Sequence, residues 1–269
     1  MKQSHWLDSK KLAMNAAGLF DAAISGNINS FSGEIEDGVL ISLDQWTPCT
    51  GNTILHTAAK SGKDQIMEIV LNSLSPHSPL YTTNFKGNTA LHIAASLGHI
   101  STSRLLITRA SRDQEAEVKR LLLRAKNVDQ NTALHLAVKH GHYDIVVLLI
   151  TEDPGLTSIT NSAGESPLFL AVDRGYFEIA LRILEIRECS DEGRKNMNVL
   201  HAAVIRVEIS EYISSTMYPG RFLLLYIYIY VLFFEPKFNL CYFVHPRESI
   251  YNTISDKFWN TTSKILTFM

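Results

Sequence analysis

Residues 87–99 have the sequence GNTALHIAASLGH, and close variants of this stretch recur along the chain. The chain has GNTILHTAAKSGK from Gly51, QNTALHLAVKHGH from Gln130 and GESPLFLAVDRGY from Gly164. When two weaker copies are included, successive motif leucines are separated by 36, 36, 43, 34 and 32 residues. These anchors are Leu19, Leu55, Leu91, Leu134, Leu168 and Leu200. A repeat of this period predicts a stack of similar structural units.

Each part of the motif has a local physical role, which the copy around Leu91 illustrates. Leu91, Ala94 and Ala95 have the i, i+3, i+4 spacing of one face of a short helix. Thr89 can cap the start of that helix, and Gly98 can end it in a left-handed conformation. A second amphipathic segment follows each glycine. Equivalent residues in other copies are Thr53, Gly62, Thr132, Gly141, Ser166 and Gly175. Pro167, directly after Ser166, suits a first helical position.

The segments between the helices carry turn-forming residues at fixed distances from the anchors. Asparagine lies seven residues before three anchors, and glycine lies four residues before three of them. Both residues tolerate positive φ, so tight turns are predicted here. The repeating unit is therefore turn, helix, turn, helix. One unit cannot bury its apolar face alone, whereas a stack can.

The pattern TxLHxAAxxGH at a step of about 33 residues resembles the ankyrin repeat. The resemblance implies an all-α ankyrin solenoid with β-turn or hairpin fingers over residues 14–206, after a lead-in at 1–13. The order of the motifs is also similar to that of plant ankyrin proteins of the accelerated-cell-death type. In that family a cytosolic ankyrin array precedes a C-terminal membrane domain with a Pro-Gly-Gly motif. This chain contains no Pro-Gly-Gly, so we expect it to end before that domain.

The resemblance implies a scaffold in plant signalling or defence that binds protein partners, with a cytoplasmic location. In ankyrin proteins, partners contact the residues before each helix-ending glycine and the turn tips. Here the first set is Lys60, Ser61, Ser96, Leu97, Lys139, His140, Asp173 and Arg174. The second set is Tyr81, Phe85, Lys86, Val128, Asp129 and Ser162. We expect Phe85 and Tyr81 to be the main anchors, because aromatic residues dominate interface energetics.

Histidines recur at one motif position, namely His56, His92, His135 and His201. The resemblance implies that they form hydrogen bonds within and between repeats. A metal site would need several imidazoles around one ion, whereas equivalent positions of a stack lie a repeat apart. We therefore expect no metal and no cofactor. The absence of a G-x-S-x-G or G-x-x-x-x-G-K-[ST] motif gives no support for an enzyme.

The bulk composition excludes further classes. The net charge of −2 gives no argument for nucleic-acid binding. Three widely spaced cysteines fit a reducing compartment. The N-terminal segment has no apolar core typical of a secretory signal.

The 43-residue step contains an insertion, SRDQEAEVKRLLLRAKN, from Ser111 to Asn127. Its charge density predicts a solvated helix extension or loop, and a partner-specific docking arm is the alternative.

The tail at 207–269 differs in composition from the repeats. It contains no alanine, one glycine and 15 of the 25 aromatic residues. Its uncharged run at 222–234 is shorter than the roughly 20 residues of a spanning helix. A tilted or re-entrant membrane segment, a β-strand and translated intron sequence after Arg206 stay open. The membrane segment supports an alternative function, a membrane-associated ankyrin protein that regulates transport or resembles a channel.

Overall fold

The structure, a computed structural model, describes residues 18–29, 46–74, 80–112, 116–199, 201–203 and 206. The lead-in, the anchor Leu200 and the tail at 207–269 lie outside these residues, so the domain limits stay predictions. The described helices are α1 (18–25), α2 (Ile54–Ser61), α3 (Asp64–Ser73), α4 (Ala90–Leu97), α5 (Ile100–Arg112), α6 (Ala116–Arg124), α7 (Ala133–Lys139), α8 (Tyr143–Glu152), α9 (Pro167–Arg174) and α10 (Phe177–Leu184). Short 3-10 helices span Pro154–Ser158 and Arg194–Asn196.

The helices form two layers. In the inner layer α2, α4, α7 and α9 pack against each other in chain order, and in the outer layer α3, α5, α8 and α10 do the same. The predicted apolar face of the inner helices is buried, as the complete burial of Leu91, Ala94 and Ala95 shows. The small alanine side chains allow neighbouring helices to approach closely. The predicted all-α solenoid is confirmed.

Both ends of the inner helices follow from their sequence. Pro167 occupies the first turn of α9, where its missing N–H costs nothing. At the other end, each helix-ending glycine has positive φ, for example +83° at Gly98. Residues with a Cβ rarely adopt this conformation, so glycine ends these helices at little cost.

The turns between repeats form fingers that are bonded to their neighbours. Asn127 Oδ1 accepts hydrogen bonds from the N–H groups of Asp129 and Asn131, which closes the turn. Its Nδ2 donates to Asn88 Oδ1 of the preceding finger at 2.9 Å. The Val128 N–H donates to the Lys86 carbonyl of that finger at 3.1 Å. In the described residues, β-pairing is limited to isolated bridges such as Trp46 with Thr53.

The insertion folds differently from its expected solvated form. It contains the helix α6, which buries Leu122 and Leu123. Ion pairs attach this helix to the end of α8, since Lys119 pairs with Glu152 at 2.5 Å and Arg124 pairs with Asp153 at 2.6 Å. The high charge density of the insertion led to the expectation of a solvated segment, although the three consecutive leucines at 121–123 indicate an apolar face.

The repeat around Leu168 lacks the motif histidine and closes its boundary in another way. Phe169 takes that place and is fully buried. The Arg194 guanidinium lies 5.6 Å from the centre of its ring and pairs with Glu165 at 2.9 Å and with Asp173 at 3.1 Å. Gly193 lies so close that an added Cβ would be 2.1 Å from Phe169 Cδ2.

No helix among the described residues combines the length and apolar character needed to cross a membrane. The run at 222–234 lies outside the part of the chain that the structure describes.

Gln130 generates a first prediction, because it has a φ of +59° where three other fingers have Gly51, Gly87 and Gly164. Gln130→Gly should raise the free energy of unfolding by roughly 0.5–1 kcal/mol, since relief of left-handed strain exceeds the entropic cost of glycine. Urea unfolding of the full chain measures this change. Gln130→Ala, which keeps the strain, is the control, and an equal gain in that variant would contradict the explanation.

Gly193 generates a second prediction. Gly193→Ala should destabilise the protein by about 2 kcal/mol or more, because the new methyl group meets the buried ring of Phe169. In a Phe169→Leu background the blocking ring is absent, so the cost of Gly193→Ala should fall by at least half. A double-mutant cycle with thermal unfolding measures the coupling. Additive effects would show that Phe169 does not require glycine at this position.

Candidate protein-binding surface

The ends of the inner helices present two side chains per repeat outside the core. They lie five and six residues after each anchor. Lys60, Lys139, His140 and Arg174 are exposed, Ser61, Ser96 and Asp173 are half-buried, and Leu97 is 46% exposed. We call these eight residues the groove set. Because α2, α4, α7 and α9 pack side by side, the groove set forms one continuous row across four repeats.

The finger tips supply a second row. Phe85 is 64% exposed and Val128 is 69% exposed, although both are apolar. The Val128 N–H donates to the Lys86 carbonyl, which places the two tips side by side. Phe85 also packs one side of its ring on Gly51 of the preceding finger. Tyr81, Lys86, Asp129 and Ser162, the other predicted tip residues, are exposed as well.

Two exposed apolar residues extend these rows and were not predicted from the sequence. Ile24, 66% exposed, lies five residues after Leu19 and therefore at a groove position. Trp46, 58% exposed, lies at the base of the finger that precedes α2 and pairs with Thr53 through a β-bridge. The offset from Leu19 could have revealed Ile24. Trp46 lies at no repeated motif position.

The motif histidines lie behind the groove set and connect adjacent repeats. His92 Nδ1 accepts a hydrogen bond from the Thr89 N–H at 3.2 Å, and its Nε2 donates to the Asn131 carbonyl of the next finger at 2.9 Å. His56 and His135 make the same bonds to the Asn88 and Glu165 carbonyls. The ring therefore carries its proton on Nε2 and stays neutral. It takes the place that glutamate or glutamine occupies in an ordinary capping box.

Burial lowers the pKa of these histidines, because desolvation disfavours the charged ring. Burial brings the pKa of His92 and of His135 to about 4, although their bonds to backbone carbonyls oppose the shift. The pKa of His56 is also lowered by burial. At neutral pH these rings are uncharged hydrogen-bonding groups.

A further inter-repeat contact was not predicted from the sequence. The residue after each helix-ending glycine lies over the corresponding glycine of the preceding repeat. A Cβ on Gly62 would be 2.5 Å from the His99 ring, and one on Gly98 would be 2.9 Å from the His142 ring. His142 Nε2 also donates to the Ser96 carbonyl at 3.0 Å. These contacts fix the ends of the inner helices that carry the groove set.

Other reactive groups in the described residues form no assembled site. No group of three histidine, cysteine, aspartate or glutamate side chains there is arranged to hold a metal ion. Burial raises the pKa of the Cys189 thiol to about 11, which keeps it protonated at neutral pH.

The histidine geometry generates a third prediction. The unfolded chain binds protons near the ordinary histidine pKa of about 6.5, whereas folded His92 and His135 bind them only near pH 4. The free energy of unfolding should therefore fall as the pH drops from about 6.5 to 4, by up to roughly 3 kcal/mol per histidine.

Variants at two histidines test this prediction by urea unfolding across that pH range. His92→Gln should lower stability at pH 7 by about 1 kcal/mol or more through its lost inter-repeat bond. It should also flatten the acid dependence, because one titrating group is gone. His201→Gln, at an exposed site, is the control. An unchanged acid slope in His92→Gln would contradict the buried neutral ring.

Comparisons with known proteins agree with this repeat structure. A three-copy ankyrin-repeat family model matches residues 19–115, and a many-copy ankyrin-repeat model matches residues 121–171. The chain is also 35% identical over 107 residues to alpha-latrotoxin-Lg1a from Latrodectus geometricus. That alignment spans 39% of this chain and 7% of the toxin, so the chain corresponds to a small part of that relative. The two family matches together cover more than half of the residues, and the chain belongs to the ankyrin-repeat family.

Proposed function

We propose that this chain is a non-catalytic scaffold that binds a protein partner through the groove set and the finger tips. The observation that carries the proposal is the exposure of apolar side chains at repeat positions outside the core. Leu97, Phe85 and Val128 all lie on segments held by inter-repeat hydrogen bonds or glycine contacts. Ankyrin-repeat proteins are typically scaffolds, and solenoids offer extended surfaces suited to protein binding.

The physical form of the surface supports the proposal. Its backbone is fixed by buried contacts, so little ordering entropy is lost when a partner binds. Most of its side chains differ from repeat to repeat, while one leucine and one alanine of the core behind them recur in each of the four repeats. Aromatic and leucine side chains supply apolar area, and the neighbouring lysines and serines supply polar contacts. This combination matches a protein interface with an apolar centre and a polar rim.

We further propose a cytoplasmic role in plant signalling or defence. This proposal rests on the order of the repeat motifs, which is similar to that of plant ankyrin proteins of the accelerated-cell-death type. The alignment with the spider toxin covers too little of that protein to transfer its activity. Fractionation of plant cells that express the full chain tests the location. Recovery in the membrane fraction would favour the alternative function, a membrane-associated ankyrin protein.

A fourth prediction tests the binding surface with the full chain. A photo-crosslinking amino acid at position 97 should capture a partner protein, identified by mass spectrometry. Replacing Phe85, Lys86, Ser96 and Leu97 together by alanine, with a crosslinker placed at position 140, should abolish that capture. These side chains lie outside the core, so the circular dichroism spectrum and the melting temperature should change little.

The matched control replaces Ser101, Arg104, Tyr143 and Leu181 by alanine. These residues are exposed on the outer helices and reproduce the residue types of the first variant. The control should retain capture through the crosslinker at position 140. Equal loss in both variants, or loss of helical structure in the first, would contradict a binding role for the groove set and the finger tips.

A further inference from the structure

The last two repeats of the groove set carry two exposed cations, Lys139 and Arg174, at the ends of neighbouring helices. Lys139 ends α7 and His140 directly follows it, and Asp173 and Arg174 end α9 at the equivalent positions. The two helices pack against each other. Lys139, His140 and Arg174 are exposed, so their charged or polar ends face solvent. We call these three residues the basic cluster.

The one acidic residue at these four positions, Asp173, is paired with Arg194 and not with Lys139 or Arg174. Asp173 Oδ1 accepts a hydrogen bond from Arg194 at 3.1 Å, and the other side of that guanidinium pairs with Glu165. Within the described residues no ion pair joins Lys139 or Arg174 to a carboxylate. Lys139 and Arg174 are therefore exposed cations that no ion pair among the described residues occupies, in a chain whose net charge is −2.

The members of the basic cluster lie close enough to affect each other. Partial burial lowers the pKa of His140, and electrostatic interactions with His142, Lys139 and Arg174 lower it further, so the cations of the basic cluster at neutral pH are Lys139 and Arg174. The rings of His140 and His142 are stacked with their centres 6.2 Å apart. Like charges that repel each other in the free protein favour a ligand of opposite charge.

An apolar side chain adjoins the basic cluster. Leu97 ends α4 at the position equivalent to His140 on α7, and these helices pack side by side. The His142 bond to the Ser96 carbonyl holds the end of α4 in place. The groove row therefore passes from an exposed leucine to three basic or polar side chains.

We propose that the basic cluster and Leu97 bind an acidic segment of a protein partner, with two or more neighbouring carboxylates and an apolar residue beside them. This inference rests on the proposed scaffold function and names the chemistry of the partner. The carboxylates contact Lys139 and Arg174, and the apolar residue contacts Leu97. Because the charges are exposed, binding depends on salt, and the charges contribute more to association rate and specificity than to affinity.

Fluorescence anisotropy with the full chain tests the proposal. The probe is a fluorescein-labelled synthetic peptide with four glutamates flanking one leucine. A peptide with glutamine in place of each glutamate should bind the wild-type protein about tenfold more weakly than the probe. The probe itself should bind the Lys139→Glu/Arg174→Glu variant about tenfold more weakly than it binds the wild type. The matched control, Arg104→Glu/Arg187→Glu, makes the same change in net charge at exposed outer sites and should stay within about twofold of wild type. Lys139→Gln/Arg174→Gln tests the same loss if charge reversal prevents folding.

Three results would overturn the proposal. One is equal binding of the glutamate and glutamine peptides. Another is equal loss of affinity in the groove and control variants, which would show that the overall charge of the protein, and not the basic cluster, attracts the peptide. The third is stronger binding of a phosphoserine peptide or of a single-stranded oligonucleotide with the same number of charges, because either would replace the carboxylate ligand by phosphate.

The scaffold function and this inference fail in different ways. If position 97 crosslinks a partner whose capture Lys139→Glu/Arg174→Glu leaves unchanged, the scaffold function stands and the acidic ligand is wrong. If no protein crosslinks, the scaffold function is wrong, whatever the peptides bind.

Discussion

The neutral imidazole between adjacent repeats is the interaction on which the rest of the structure depends. His92 joins the start of its own helix at Thr89 to the finger of the next repeat at Asn131. A single ring thus satisfies a helix-opening N–H and a backbone carbonyl that burial would otherwise leave unpaired. The bond from His92 to the Asn131 carbonyl holds the next finger in place, and that finger leads directly into the next inner helix. Burial keeps the ring neutral, so no uncompensated charge enters the core.

The repeat around Leu168 shows what replaces that interaction when histidine is absent. The Phe169 ring has no nitrogen that could accept a hydrogen bond from the Ser166 N–H. That N–H donates instead to the Glu192 carbonyl at 2.9 Å. Arg194 then ties the finger to α9 through its pairs with Glu165 and Asp173. The boundary is closed by an apolar ring, a backbone bond and a guanidinium rather than by one imidazole. The same pairs bind Asp173 to Arg194 rather than to Lys139 or Arg174 of the basic cluster.

The sequence predicts the elements that depend on local chemistry and fails where distant segments meet. The leucine, alanine and glycine spacing predicts the inner helices, because each role is completed within one repeat. Charged residues such as Lys119 and Arg124 predicted a solvated insertion, although their ion-pair partners at the end of α8 hold a helix that buries Leu122 and Leu123. Arg194 belongs to no motif, and its partners lie 21 and 29 residues away. The exposure of the groove set follows from its offset from the anchors, whereas its ligand does not.

The groove side chains can differ between repeats because the backbone that carries them is held by contacts that do not involve these side chains. The ring of His142 covers Gly98 and holds the Ser96 carbonyl, so the end of α4 is fixed by residues of the next repeat. None of these bonds uses the side chain of Leu97 or Lys139. A substitution at a groove position therefore changes the chemistry offered to a partner while the stacking contacts stay in place. Binding specificity in this fold can change at the ends of the inner helices without a loss of the buried contacts that hold the repeats together.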